Sequence, residues 1–518
     1  MTLLINKPAI NAVNEAPTTL THLRALLNSM MQWKIIPPLD KYPWAVQFAQ
    51  TIFGKAVLLA VFALGLYLHD KAWWLEMTVL LATMTYWPQY RAKLLIAATL
   101  YWLYANTWFN WDLIRIVAVK NGVTDVLDWG VLRLNLIAAV LLFCAAFYAL
   151  AYVCKDHWTM RRPLVVLHLL NMSLMLIACY APLSPIQRTY LWAFLIVLVR
   201  YIWFLGYSLL DIRAKNSPGF GFQIGHYIPF WMGLASTPTP MPKGAAYLRK
   251  IEAKTAQEQA VCQLKALKLI YWAAILMVIE TVFSNVVYST RGMLDWQLVS
   301  VFQLPDYKDA LHQAIEGPAY PWYIGWLSLL GGLFRNVLYL AVWGHAIIAI
   351  CRMAGYNALR GTYKPLLATT IAEFWNRYFY YFKELLVEFF FYPTYLRYFK
   401  KSPRFRLFFA TLAAAGFGNV LFHFIRDIEF IIQMGFWQAL LAFHVYMFYG
   451  LLLGTAIGIS QLRNRQARKH YGWFRRNVVA RVAVIGFYCI VLIFDSPDRI
   501  LSLGDYFVFV FSLVNIRY

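Results

Sequence analysis

"LLFCAAFYALAYVC", residues 141 to 154, contains no charged side chain and no alternation of polar and apolar positions. A strand of an outer-membrane barrel must alternate, because one side meets lipid and the other the lumen. This run does not, so it reads as helix. With the residues before it, it extends over 131–154, beyond the roughly 20 residues a helix needs to cross a bilayer. Comparable runs occur at 48–68, 72–89, 93–109, 163–182, 188–211, 264–285, 320–350, 407–426, 433–460 and 478–495, and a last apolar stretch at 505–516. The pattern predicts an all-α, polytopic transmembrane helical bundle of about ten to twelve spans, with re-entrant or interfacial helices between them.

Bulk composition agrees. Of the 518 residues 61% are hydrophobic and 18% aromatic, a mixture far from that of soluble globular domains. The formal charge is +23, from 47 Lys and Arg against 24 Asp and Glu. In a soluble protein that excess would suggest a nucleic-acid partner. Here it collects in short loops, "KDHWTMRRP" (155–163), "KGAAYLRKIEAK" (243–254), "RYFKKSPRFR" (397–406) and "RNRQARKHYGWFRR" (463–476). The positive-inside rule places such loops in the cytoplasm, so no nucleic acid is expected. The segments 426–433 and 286–320, richer in acids, then lie on the outer side.

Three regions organise the chain: an N-terminal cytoplasmic or interfacial segment (1–47), N-terminal transmembrane helices (48–212) and a core (213–518). The start lacks the features of a secretory signal, and 20–36 has the character of an amphipathic surface helix. Within 213–262, "STPTPMPKG" must interrupt helix. Non-helical backbone at membrane depth needs protein or water around it, so a re-entrant segment lining a cavity is expected. The six cysteines form no paired motif and sit mostly in apolar runs, where Cys acts as a small hydrophobe. The ten His are too scattered for a metal site, and the glycines of "SPGFGFQIG" lack the strand and Gly-Lys-Ser of a phosphate loop. No metal and no tightly bound cofactor are expected.

Ionisable residues inside apolar runs are costly, and therefore default candidates for function. They are His168, Arg200, Glu280, Arg335, His345, Glu373, Arg377, Glu384, Glu388, His423 and His444. His423 lies in "AGFGNVLFHFIRD" (415–427), about 25 Å along a helix from the basic loop ending at Arg406, which puts it near the outer leaflet. His444 lies in the next apolar run, joined by a short turn, so the two imidazoles can approach each other. The aromatic stretch 369–406 reads as an interfacial helix with an aromatic belt.

The order of these features resembles the membrane-bound O-acyltransferase family, in its bacterial polysaccharide-acetylating branch. That family carries "TxxFWRRWH…LRDYLYIPLGG", then a basic loop, a span bearing "GLWHG" and a further span ending in "HG". The similar stretches are "TTIAEFWNRYFYYFKELLVEFFFYPTYLR", "KKSPRFR", "AGFGNVLFHFIRD" and "AFHVYMFYGLLLG". Upstream, "YIPFWMGLASTPTPMPKGAAYLRKI" resembles the family's "FFPTLLAGPIxRYxxF" element, so the resemblance covers roughly 220–518. It implies that His423 is the catalytic base, that Trp375 and Arg377 with Phe374 match the "FW-x-R" positions, and that Glu388 matches the acid of "LRDYLY". Phe379 stands where the family has His or Asn, Phe424 replaces the Gly after the catalytic His, and Tyr449 replaces the His before Gly450. The second catalytic group is therefore open among Asn376, Asn419 and His444, with Trp375, Arg377, Glu388 and Tyr449 as substrate-binding residues.

The resemblance further implies an acyl-CoA, acetyl-CoA or acyl-carrier thioester as co-substrate and a hydroxyl of a cell-envelope or secreted polysaccharide as acceptor. It places the protein in a bacterial inner (plasma) membrane, among membrane lipids and beside periplasmic acyl-handling or polysaccharide-export proteins. Two other readings stand beside it: a transporter or flippase of lipid-linked sugar or acyl groups, and a catalytically inactive family member acting as a scaffold.

Overall fold

A computed structural model describes residues 35–105, 109–214, 218–227, 229–234, 237–463, 472–495, 498 and 500–516. Every regular element among them is helical. Among the described residues nine helices are long and apolar enough to cross a membrane: α1 (Ile52–His69), α2 (Trp129–Val153), α3 (Pro163–Tyr180), α4 (Pro185–Asp211), α5 (Ala256–Tyr288), α6 (Trp322–Met353), α7 (Pro403–Arg426), α8 (His444–Leu462) and α9 (Arg475–Phe494). The chain is a multi-pass membrane protein. The ten to twelve spans expected reduce to nine among the described residues because three apolar runs form shorter helices, Trp74–Tyr86, Arg91–Ala105 and Leu503–Ser512.

Local chemistry sets the helix ends. Thr51 caps α1 by accepting from the Gly54 N–H at 2.9 Å. Ser184 forms a capping box with Gln187, with Pro185 in the first turn of α4. Thr255 accepts from Glu258 at the start of α5, where Glu258 in turn accepts from the Lys254 N–H at 2.7 Å. Each cap satisfies amide donors that the helix leaves unpaired.

α4 is the hub, with 83% of its most apolar window buried against 22% for α3, which is peripheral. One continuous apolar core runs from Ala45 to Leu513, so both transmembrane regions share it. Bonds between helix ends show which ends lie together. Thr411, just over two turns into α7, donates to Gln461 at the end of α8, 2.8 Å. Gln263 near the start of α5 donates to the Met353 carbonyl at the end of α6, 3.2 Å. Arg213 after α4 donates to the Lys155 carbonyl after α2, 2.7 Å. These junctions adjoin the four cation-rich loops and define a basic face. The opposite ends, with Asp427, Asp306 and Asp495, define an acidic face.

Two segments enter the bundle from the basic face. Residues 237–242 run without helix, and Thr239 and Met241 are buried; the Trp231 indole N–H donates to the Met241 carbonyl at 2.7 Å. This is the protein-enclosed irregular backbone expected for "STPTPMPKG". The second segment comprises helices Ile371–Tyr378, Tyr380–Leu386 and Tyr392–Arg397, with a π-helical turn at Val387–Phe391. Phe374, Tyr381 and Leu385 are fully buried. The segment is thus a wedge within the bundle and not a belt on its surface, because the break at Phe379 turns its aromatic face inward.

α7 carries a second π-helical turn, Leu412–Gly418, and the two π turns meet. A Cβ on Gly418 would lie 2.5 Å from the Phe390 ring. α8 crosses this region through Gly450 and Gly454: a Cβ on Gly450 would lie 3.1 Å from the Gly416 carbonyl, and one on Gly454 2.9 Å from the Gly416 amide. Small residues four apart let two membrane helices bring their backbones together. The apolar run 433–460 is not one span. Gly435, at φ 86°, ends Ile428–Met434, a second short helix ends at Ala442, and α8 begins only at His444. The proposed surface helix 20–36 lies outside the described residues except for Ile35 and Ile36.

Candidate functional site

His423 sits one turn from the acidic end of α7, half-buried in a cage of rings. Tyr446 of α8 lies against the imidazole, centroids 4.8 Å apart and planes tilted by 34°. Phe422 and Phe382 close two further sides edge-on at 5.6 and 6.1 Å. The Tyr446 hydroxyl donates to Asp495 Oδ1 at 2.8 Å. Arg426, one turn beyond His423, holds Asp427 through Nε at 2.6 Å and Nη2 at 3.2 Å. The ends of three spans therefore converge on one imidazole, with a phenol, two carboxylates and a guanidinium around it.

Asn419 is fully buried one turn before His423, with the Tyr449 hydroxyl beside its amide. The Tyr449 ring lies 5.4 Å from that of Tyr446. His444 is elsewhere. It is exposed at the first residue of α8, its Nδ1 3.0 Å from the Leu441 carbonyl, so the ring that α8 presents to His423 is Tyr446. The expected approach of the two imidazoles fails because α8 starts at His444, which leaves that side chain on the outer surface.

Asn376 and Trp375 belong to a different place. They line a cavity of about 800 Å³ open to the basic face, whose wall also includes Lys383, Thr411, Ser460 and Arg463 and whose deep end is at Ala414 and Ala415. His423 is not in that wall. Phe382 stands between, with its ring 6.1 Å from Trp375 on one side and 4.7 Å from Phe422 on the other. Arg377 bonds Glu373 one turn back at 2.6 Å, and Glu373 also accepts from the Thr369 N–H at 2.8 Å. Arg377 therefore braces the rim of the cavity.

Glu388 joins the two entering segments. Lys243, directly after the irregular backbone, lies 2.6 Å from Glu388 Oε1 and also contacts Glu384, which in turn pairs with Lys383. Burial opposes the Lys243 ammonium, but the two carboxylates outweigh it and hold its pKa above the ordinary lysine value. Burial likewise disfavours the Glu384 carboxylate, yet its hydrogen bonds to Lys243 and Lys383 keep it below the usual range. Glu388 is thus a structural ion-pair partner in the wedge. Tyr247, on the other side of Lys243, is pushed up to about 12 by burial.

His168 is half-buried and His345 is buried beside the cavity between α5 and α6, each with Nδ1 on the carbonyl four residues back, Leu164 and Ala341. Arg335 pairs with Asp306 at 2.9 Å. Sequence reasoning missed Tyr446, Asp495, Phe382 and Lys243. Only Lys243 had a visible cue, as the cation closing "STPTPMPKG". No cluster of three or more metal-ligating side chains occurs among the described residues.

Compared with known families and with characterised proteins, the chain matches no family model and no characterised sequence.

Proposed function

We propose that this protein is a membrane-bound O-acyltransferase of a bacterial inner membrane. It moves an acyl group, expected to be acetyl, from a thioester donor on the cytoplasmic side to a hydroxyl of a cell-envelope or secreted polysaccharide. The observation that supports this reading best is His423 itself: a half-open imidazole near the acidic face, aligned along α7 with a basic-face cavity.

In the proposed reaction His423 takes the acceptor's hydroxyl proton as the oxygen attacks the thioester carbonyl. The new C–O bond forms, the C–S bond breaks, and the proton passes to the departing thiolate. Asn419 and Tyr449, about one turn deeper, are assigned to donate to the carbonyl oxygen as charge develops on it. The cavity lined by Lys383 and Arg463 offers cations to a phosphate-bearing donor. Tyr446, held by Asp495, fixes the plane of the imidazole. Purified protein given labelled acetyl-CoA and an envelope-glycan acceptor transfers label, and His423→Ala lowers transfer by about 10²- to 10⁴-fold. Undiminished transfer by that variant removes His423 from the mechanism.

One observation favours a second reading. Phe382 separates the cavity from His423, which suits a family member without catalysis acting as a scaffold, or a transporter or flippase of lipid-linked sugar or acyl groups. Movement of such a substrate across liposomes, with no acylated product, distinguishes transport from transfer.

A further inference from the structure

A cavity of about 1010 Å³ lies between α5 and α6 at the basic face, away from the His423 cluster. Its walls are divided by chemistry. At the basic end it is lined by Lys268, Arg360 and Lys364, and no Asp or Glu is among its described lining residues. Arg360 and Lys364 flank the Tyr363 ring, 5.5 and 5.8 Å from its centroid. Asp40 is near enough to act on Arg360 but is not part of the wall.

Towards mid-membrane the walls become apolar. On α5, Lys268, Trp272 and Leu276 follow one another at four-residue spacing, so one helix face passes from cation to hydrocarbon. On α6, Ala341, Leu338 and Phe334 form the matching stripe in the opposite chain direction. Trp272 and Phe334 are only half-buried. Cations at the membrane surface and an apolar slot directed to the bilayer centre match the orientation of a lipid in its leaflet. A free anion would need the first part only, and 1010 Å³ far exceeds its size.

The geometry points to a binding site for one anionic phospholipid, its phosphate held by Lys268, Arg360 and Lys364 and an acyl chain laid along Trp272, Leu338 and Phe334. Basic pockets between membrane helices hold anionic headgroups in this manner. The inference is independent of acyl transfer and is tested without it.

The full chain in mild detergent is titrated with dioleoyl phosphatidylglycerol and, separately, dioleoyl phosphatidylcholine, and lipid adducts are counted by native mass spectrometry. Phosphatidylglycerol binds the wild type more tightly. Arg360→Gln with Lys364→Gln weakens it about fivefold per cation and about 30-fold together, while phosphatidylcholine binding is unchanged and serves as the check on folding. Ala341→Phe, which fills the slot, weakens both lipids. Equal phosphatidylglycerol affinity in the double variant overturns the proposal. So does displacement by inorganic phosphate with no effect of acyl-chain length, which marks a free-anion site, and so does displacement by acyl-CoA but not by added phosphatidylglycerol, which marks a donor site.

Discussion

Replacing Lys243 by Met tests whether the two entering segments are held together by charge. Lys243 sits between Glu384 and Glu388, and the three side chains keep only 15, 15 and 27% of their exposure. At an effective dielectric of about 20, a contact at 4 Å is worth about 4 kcal/mol before desolvation, and removing three ions from water offsets most of that for two contacts. Loss of the lysine is different, because it leaves two carboxylates facing each other with only Lys383 nearby. Breaking a pair at this depth costs about 3 kcal/mol. Met keeps most of the aliphatic stem, so packing is largely preserved.

The assay is reversible unfolding in mixed micelles at pH 7, comparing Lys243→Met with the charge-free triple variant Lys243→Met/Glu384→Gln/Glu388→Gln. The single variant loses about 3 kcal/mol, and the triple variant returns to within about 1 kcal/mol of wild type, because neutral groups of similar size often replace a buried ion cluster without loss. If the triple variant is as unstable as the single one, the cost comes from packing and the electrostatic account is wrong. The pH dependence has a definite sign. Glu384 has a depressed pKa, so its contribution is complete above its ordinary value of 4.5 and is lost as pH falls through the lower folded value. Lys243 has a raised pKa, so its contribution is complete below 10.5 and is lost only at still more alkaline pH.

Further predictions concern the site and its scaffold. His423→Ala lowers kcat/KM for acyl transfer by about 10²- to 10⁴-fold, the range of a positioned general base, read with labelled acetyl-CoA. Gly450→Ala costs about 1–3 kcal/mol by overpacking, since its Cβ would lie 2.5 Å from Val420; Val420→Ala in the same chain recovers part of that loss in a micelle unfolding series. Gly355→Ala is destabilising by at least about 1 kcal/mol, because Gly355 has φ 96° and its Cβ would lie 2.5 Å from the buried Arg91 guanidinium; thermal unfolding in detergent reads it. Phe382→Ala removes a buried ring at a cost of about 3–5 kcal/mol and joins the basic-face cavity to the His423 cage, so bulky thiol reagents reach a cysteine placed at position 422 only in that variant.

Much of the architecture was legible because lipid imposes simple rules. Runs such as 141–154 and 188–211 could be nothing but spans, and the basic loops declared which ends lie together. The misreadings have local causes. Apolarity continued through 433–460, yet Gly435 and Phe443 break the backbone there, and hydropathy does not register a backbone torsion. Aromatic residues in 374–392 resembled an interface belt because a ring buried in protein and one at a membrane surface have the same composition. At the candidate site, His423 and Asn419 were singled out because a polar side chain stands out in an apolar run. Tyr446 and Asp495 were not, since a tyrosine among aromatics is unremarkable in sequence and Asp495 is remote along the chain.

The π turn at Leu412–Gly418 carries a consequence for evolution and engineering alike. A π turn amounts to one inserted residue taken up locally, so the helix beyond it keeps nearly the phase it would have without the insertion. Deleting a single alanine from 413–415 would let α7 close into ordinary helix with His423 still directed at Tyr446. A second deletion, with no π turn left to absorb it, would turn everything beyond by about 100° and draw it back by about 1.5 Å. The π turn is thus one residue of slack in the chain, and the imidazole's address survives the first one-codon loss but not the next.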